Sequence, residues 1–348
     1  FSREELKTLI SSYGGSFTLS NSGLLAVVRD SYELDRLARE AILLSSGEEF
    51  LDADSCAERE PALSDAVTAG AIAGGLFASD GASGDAYSFT TSLAKRCVAA
   101  GVRFRYGNPA KALTTVSNRI TGARTIDGDI VANAVVLAAG QESRTLAATV
   151  GIRLPLLPVK GASITVPATP PAALPTLGIL DENARVVISR FGNTVRAAGT
   201  ADFGVRDPKV DRERALGILN FLASMFPAAQ LPTSIADAQP WAGIRAMTPD
   251  GPPILGSVPN RPGLFLNTGH GSLGWTLAAG AARITAALTA TSGGRYSRKS
   301  SSLFSRFFGD DRLFLLLGVL RFSALISGNL FRFLKGIKRL FRRFFGGS

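Results

Sequence analysis

The sequence predicts a mixed fold, part α/β and part α+β, and three observations carry that reading. Residues 264–288 join a short apolar run to a glycine-rich turn and then to a helix of small residues. Residues 134–140, Ala-Val-Val-Leu-Ala-Ala-Gly, are uniformly apolar, as a strand buried on both faces would be. Residues 160–166, 185–191 and 194–200 alternate in the manner of antiparallel strands with one wet face.

Taken in order, 1–10 has the apolar spacing of a helix, with Phe1, Leu6, Leu9 and Ile10 on one face and no cap at its start. No charged-then-apolar leader is visible. Residues 14–29 alternate around Asn21-Ser22-Gly23 and predict a hairpin. Residues 31–45 place Leu34, Leu37, Ala38, Ala41 and Ile42 at helical spacing, with Ser31 as the candidate cap. Glu48, Glu49, Asp52 and Asp54 read as a solvated face, because no matching ligand set accompanies them. A turn at 80–85 ends in Asp85, which caps a predicted helix to Ala100. Strands are then expected at 102–106, 110–116, 120–125 and 129–137, split by Gly-Asn-Pro, Ser-Asn and Asp-Gly turns. Beyond the alternating strands, 207–226 predicts an amphipathic helix with Pro208 in its first turn and Pro227 at its end.

Charge narrows the functional classes. The chain carries 38 Lys/Arg against 28 Asp/Glu, and 12 against 2 of these lie from Arg295 onward, so the first 294 residues are electrically balanced. A body without net basic charge argues against nucleic-acid binding. Cys56 and Cys97 form no metal or redox spacing and are expected to be buried, reduced thiols, so no metal site is predicted. His270 is the one histidine, which leaves Ser-His-Asp and Cys-His chemistry no residue but that one. Chemistry must then come mainly from a cofactor or from carboxylates, Arg, Lys and Tyr.

The spacing Gly269-His270-Gly271-Ser272-Leu273-Gly274 fits G-x-G-x-x-G between a predicted strand and helix. No second strand ending in an acidic residue follows it, as a complete dinucleotide-binding unit requires. The turn nevertheless aims backbone amides and a helix N-terminus at an anionic or electron-accepting group. A tight turn without a ligand is the alternative. Arg245 stands in the apolar, proline-rich stretch 241–256, where a guanidinium fork suits a carboxylate; a tie to Asp250 or to backbone carbonyls is the competing reading.

Together Gly84-Asp85 and its helix, 134–140, 151–161, 241–256 and 266–276 resemble, in order and spacing, the FAD-dependent amino-acid oxidase and dehydrogenase family (DAO-like), and within it the bacterial D-amino-acid dehydrogenases of small-subunit type. The resemblance covers roughly residues 1–290. It implies a two-lobed flavoprotein fold: an FAD lobe mainly at 84–152 and 250–290, and an antiparallel-sheet substrate lobe mainly at 13–83 and 153–249. It also implies that FAD lies along Gly269, His270, Gly271, Ser272, Leu273, Gly274 and Thr276, against Ala139 and Gly140, with Ala110 on the adenine side. Arg245 would bind the carboxylate of an amino-acid substrate, although Ala246 replaces the proline often found after it. The implied reaction is hydride transfer from the substrate α-carbon to flavin N5, giving an imino acid that water hydrolyses to a 2-oxo acid and ammonia, with a membrane quinone as acceptor. Family members open with a βαβ unit bearing the main G-x-G-x-x-G and the acidic ribose ligand, which finds no counterpart here. The expectation is an incomplete fold lacking roughly the first hundred residues of such an enzyme, or a chain that does not hold FAD.

Residues 291–348 fall outside the resemblance. Leu330, Phe333, Leu334, Ile337, Leu340, Phe341, Phe344 and Phe345 share one helical face, with Lys and Arg largely opposite, the pattern of a helix lying in an anionic membrane interface. The near-repeat at 303–309 and 340–346 predicts two such anchors over 303–345; a calmodulin-like partner, or a tail without a selected role, are the alternatives. The compartment stays open, with a cytoplasmic protein held at a membrane surface as one reading.

Overall fold

The computed structural model describes residues 1–13, 17–44 and 48–291. The predicted tail anchors therefore lie outside the described residues. In chain order the elements begin with α1 (Ser2–Tyr13), β1 (Leu19–Ser20), β2 (Leu24–Val28), α2 (Ser31–Leu44), β3 (Glu49–Asp52), α3 (Ala53–Arg59) and α4 (Ser64–Thr68). Next come β4 (Gly74–Ala78), β5 (Ser83–Gly84), α5 (Ala86–Ala99), β6 (Ala110–Val116), β7 (Arg119–Thr125), β8 (Gly128–Val131), β9 (Val135–Leu137) and α6 (Ser143–Ala148). The chain continues through β10 (Leu157–Pro167), β11 (Gly178–Asp181), β12 (Val186–Phe191), β13 (Thr194–Phe203) and α7 (Arg212–Met225). It finishes with β14 (Gln239–Met247), β15 (Ile254–Ser257), β16 (Leu264–Thr268) and α8 (Gly274–Thr291).

An eight-stranded sheet of order β14-β10-β13-β12-β11-β2-β4-β3 organises the larger part. Its pairs are antiparallel except β11 with β2, which run parallel. One face packs on α7, where Ile164, Val166, Ile179, Ile188, Leu219 and Leu222 are buried together. On the other face Leu37 of α2 buries Ala26, Val28, Leu76 and Leu180. The β10–β13–β14 end of that second face lies beyond this cover, and there the site is built.

A second core joins Leu137, Leu146, Leu154, Leu156, Leu264 and Leu266. It lies beside a three-stranded sheet, β15-β16-β9, in which β16 and β9 are parallel. The strands β6, β7 and β8 form a separate antiparallel meander.

Several expectations are corrected. The hairpin at 14–29 is not formed: β1 pairs with β5, and β2 pairs with β4 and β11, because non-local partners cover both edges of β2. Asp30, not Ser31, caps α2, its carboxylate accepting from Glu33 N at 2.8 Å. The helix expected from Asp207 begins at Arg212, since the Asp211 carboxylate takes the amides of Glu213 and Arg214 and leaves Pro208 in the preceding loop. The strand expected at 129–137 divides into β8 and β9, which belong to different sheets. Val136 of β9 is 43% exposed, so the apolar run is an edge and not a strand covered on both faces. Residues 102–105 carry no strand, because no neighbouring strand takes their hydrogen bonds; Phe104 and Tyr106 stack on each other at 5.5 Å and remain exposed.

Other readings stand. Of the expected solvated face, Glu49, Asp52 and Asp54 are exposed and Glu48 is half-buried, with Glu49 paired to Arg59 and Asp52 capping α3. Both cysteines are free, but only Cys56 is buried as expected, Cys97 being half-buried; burial, then Asp52, pushes the Cys56 thiol up to about 11.

Candidate functional site

The glycine-rich turn forms where the sequence places it. β16 ends at Thr268, Gly269 and Gly271 take left-handed backbone (φ +81° and +56°), and a short turn at Gly271–Leu273 leads into α8. An added Cβ on Gly269 would lie 2.8 Å from Thr248 Cγ2, so both backbone and space require glycine there. The adjacent parallel strand β9 ends at Leu137 and runs on into Ala139 and Gly140, both exposed, with Gly140 also left-handed. Thr268 Oγ1 donates to the Gly140 carbonyl at 3.0 Å and ties the two strand ends together. Two parallel strands thus present their carboxyl ends, and a helix N-terminus, to one side.

The large sheet reaches this turn through β14. Met247, its last residue, makes a β-bridge with His270, and the turns at 140–142 and 271–273 both pack on that strand. Arg245 lies two residues back and so faces the same side as Met247. Its guanidinium donates to the Thr200 carbonyl at 3.2 Å and makes no ion pair among the described residues. The tie to Asp250 is therefore not formed; one backbone carbonyl holds the group and leaves most of its fork free. Burial lowers its pKa from the ordinary arginine value, and it remains a cation at neutral pH.

Three polar atoms around the turn are buried without a hydrogen-bond partner among the described residues: His270 Nε2, Gln141 Oε1 and Trp275 Nε1. Each such atom costs ~1–3 kcal/mol if left unmade. Burial also lowers the His270 pKa, so the imidazole is neutral at pH 7 and offers one donor and one acceptor. Ser272 is exposed, Leu273 and Gly274 are half-buried, and the Thr276 carbonyl accepts from Ser2 Oγ at 2.7 Å. Ala110 stands apart, exposed at the start of β6 and paired with Thr125 in the meander.

Asp85 joins this region from α5. Its carboxylate caps the helix through Tyr87 N and Ser88 N and accepts from Arg196 of β13 at 3.0 Å. Trp275 stacks on Phe89 one helical turn further on, at 5.6 Å. Desolvation pushes the Asp85 pKa up, but the Arg196 hydrogen bond and charge, with the two cap amides, outweigh it and leave the pKa lowered. A depressed carboxylate pKa stabilises the fold above the unfolded value of 3.8, and that contribution is lost as pH falls through the lower folded value. Asp85→Asn keeps a capping oxygen and loses the ion pair. The stability difference between the two chains should be full above about pH 4 and vanish in stronger acid, as urea unfolding at stepped pH would show.

A glycine-rich turn at two parallel strand ends, facing buried polar atoms that have no hydrogen-bond partner among the described residues, is the arrangement of an enzyme that holds a polar cofactor. The chain belongs to the FAD dependent oxidoreductase family, whose model matches residues 1–288. D-amino acid dehydrogenase of Paramagnetospirillum magneticum is 40% identical over 291 residues, 83% of this chain and 68% of that protein. D-amino acid dehydrogenase of Cereibacter sphaeroides is 40% identical over 290 residues, 82% of this chain and 64% of that one. The chain thus spans about two thirds of the length of these relatives. Among solved structures, glycine oxidase from Geobacillus kaustophilus superposes with a TM-score of 0.74 at 26% identity, covering 85% of this chain and 78% of that one. L-proline dehydrogenase from P. horikoshii shares the fold, with a TM-score of 0.70 at 21% identity over 84% and 77% of the two chains.

The family is FAD-dependent, and the residues present fit the ring end of that cofactor. The unpartnered His270 and Gln141 atoms would gain partners, and an added Cβ at Gly140 would meet nothing within 4 Å. A pyrophosphate needs a further glycine-rich turn. The sequence has G-x-G-x-x-G at 269–274 alone.

Sequence reasoning missed Gly161, Thr200 and Arg196 as site residues. Their signal is cross-strand register, which one strand read by itself does not carry.

Proposed function

We propose that this chain serves the FAD-dependent oxidative deamination of an amino acid, in the manner of a D-amino-acid dehydrogenase. The observation that carries the reading is Arg245: a largely buried guanidinium without a carboxylate partner among the described residues, two residues from the strand end that bridges to His270 of the glycine-rich turn. Bound FAD supplies the two-electron acceptor for the substrate α-C–H bond. Arg245 holds the substrate carboxylate by a charge-assisted fork and turns the α-carbon toward residues 269–274. Gly269, Gly271 and the first turn of α8 direct amides at the developing negative charge of the acceptor. Neutral His270 adds a hydrogen bond there without a competing charge. The product imine hydrolyses in water to a 2-oxo acid and ammonia. A membrane quinone is the proposed final acceptor, with 303–345 at an anionic membrane surface, which vesicle co-sedimentation with and without those residues would test.

The purified chain, mixed with FAD and desalted, should keep visible flavin bands, and a D-amino acid should bleach them and reduce a dye acceptor. Retained flavin that no D- or L-amino acid reduces would rule the reading out.

A further inference from the structure

Gly161 of β10 and Gly243 of β14 stand directly opposite each other in the sheet. Neither has a left-handed φ, so backbone conformation does not call for glycine at either place. Space does. An added Cβ on Gly161 would overlap the Arg245 guanidinium, and one on Gly243 would overlap the Trp241 indole, with its Cζ2 at 2.7 Å. Glycine inside a strand weakens it and marks a close approach by another group. Here the two groups are side chains laid flat on the strands.

Cβ positions of opposed residues lie ~5 Å apart, so the guanidinium over Gly161 and the indole over Gly243 lie side by side. The third strand completes the setting. Opposite Gly161 β13 carries a bulge, with Thr200 in left-handed conformation (φ +63°). The Thr200 carbonyl accepts from Arg245 at 3.2 Å, and its hydroxyl accepts from Ala162 N at 3.0 Å. The next row of the same face is Ala198, Ser163 and Trp241, so small residues flank the indole, and Trp241 is 63% exposed.

The geometry points to a two-part reader built on the Gly161–Gly243 recess: Gly161 positions Arg245 for the carboxylate, and Trp241, laid over Gly243, selects amino acids with apolar side chains. This rests on the proposed function, since Arg245 must first be the carboxylate anchor. A carboxylate held by Arg245 brings the remainder of the amino acid against the adjacent indole. An apolar side chain there buries area against the ring, which a methyl group is too short to cover.

Propanoate and 3-phenylpropanoate, the deaminated skeletons of a small and a large apolar amino acid, serve as probes for the whole purified chain by ligand-detected NMR, with thermal unfolding run on every variant. Trp241→Ala should weaken 3-phenylpropanoate by about tenfold and propanoate by less than about twofold. Gly161→Ala should weaken both by ~10- to 100-fold, as the displaced guanidinium no longer meets the carboxylate. In an Arg245→Lys background, where the narrower side chain clears the new methyl, Gly161→Ala should add no further loss. Equal effects of Trp241→Ala on the two probes, or full additivity of Gly161→Ala with Arg245→Lys, would overturn the inference. If Arg245→Leu itself leaves both affinities unchanged, the carboxylate anchor fails, and the reading of function fails with it.

Discussion

On the proposed function, Arg245→Leu raises KM for the amino-acid substrate ~30- to several-thousand-fold, while added FAD survives desalting as well as it does on the unchanged chain. The range follows from truncating one partner of a largely buried, hydrogen-bonded charge pair, which costs ~2–5 kcal/mol. Leucine keeps much of the apolar stem and removes only the fork, and the Thr200 carbonyl it abandons lies at a bulge of β13. The turn at 269–274 is held by Met247, Thr248 and the strand pair β9–β16, none of which the substitution touches. The two readouts therefore separate: steady-state kinetics moves and the flavin absorbance does not. Arg245→Lys keeps the charge without the fork, and should fall between the two chains in KM. A KM for Arg245→Leu within about threefold of the unchanged chain would remove the arginine from the carboxylate site.

How much of this site a reader of the sequence could find depends on how far apart its parts lie along the chain. The turn at 269–274 was legible because its glycines, the apolar run before them and the helix after them are contiguous. Arg245 was legible as a guanidinium in an apolar stretch, and its neighbours across the sheet were not. Gly161 and Thr200 meet it only through the registers β10–β14 and β10–β13, and a single-residue slip in either would turn the facing residues to the other side of the sheet. The alternation of β10, β12 and β13 predicted their antiparallel pairing. Nothing local in 24–28 predicted that β2 would lie parallel to β11 and antiparallel to β4, since both partners are remote. The run at 102–106 shows the opposite failure. Its composition is that of a strand, but a strand needs a neighbour for its backbone groups, and residues 102–105 have none among the described residues.

Glu60 is a buried point where one substitution removes several hydrogen bonds at once. It is 1% accessible and takes part in no ion pair among the described residues. Oε2 accepts from Thr176 N at 2.7 Å, Thr176 Oγ1 at 2.9 Å and Leu177 N at 2.8 Å, while Oε1 accepts from Ala62 N at 3.3 Å. One side chain thereby fixes the end of α3 to the residues that lead directly into β11, the strand joining β12 to β2. Glu60→Ala deletes every one of these acceptors and leaves the buried Leu177 amide without a partner. Each unmet buried group costs ~1–3 kcal/mol, so the expected loss is ~3–5 kcal/mol. Against a typical total of ~5–15 kcal/mol, that is enough to leave a large unfolded fraction at moderate temperature. Glu60→Gln can turn its remaining oxygen to the three strong donors and set its amide against Ala62 N, the longest bond of the four. It should lose only ~1–2 kcal/mol. Urea unfolding followed by circular dichroism gives both values. A Glu60→Ala loss no larger than that of Glu60→Gln would mean that water replaces the carboxylate, and that β11 is held by its strand partners alone.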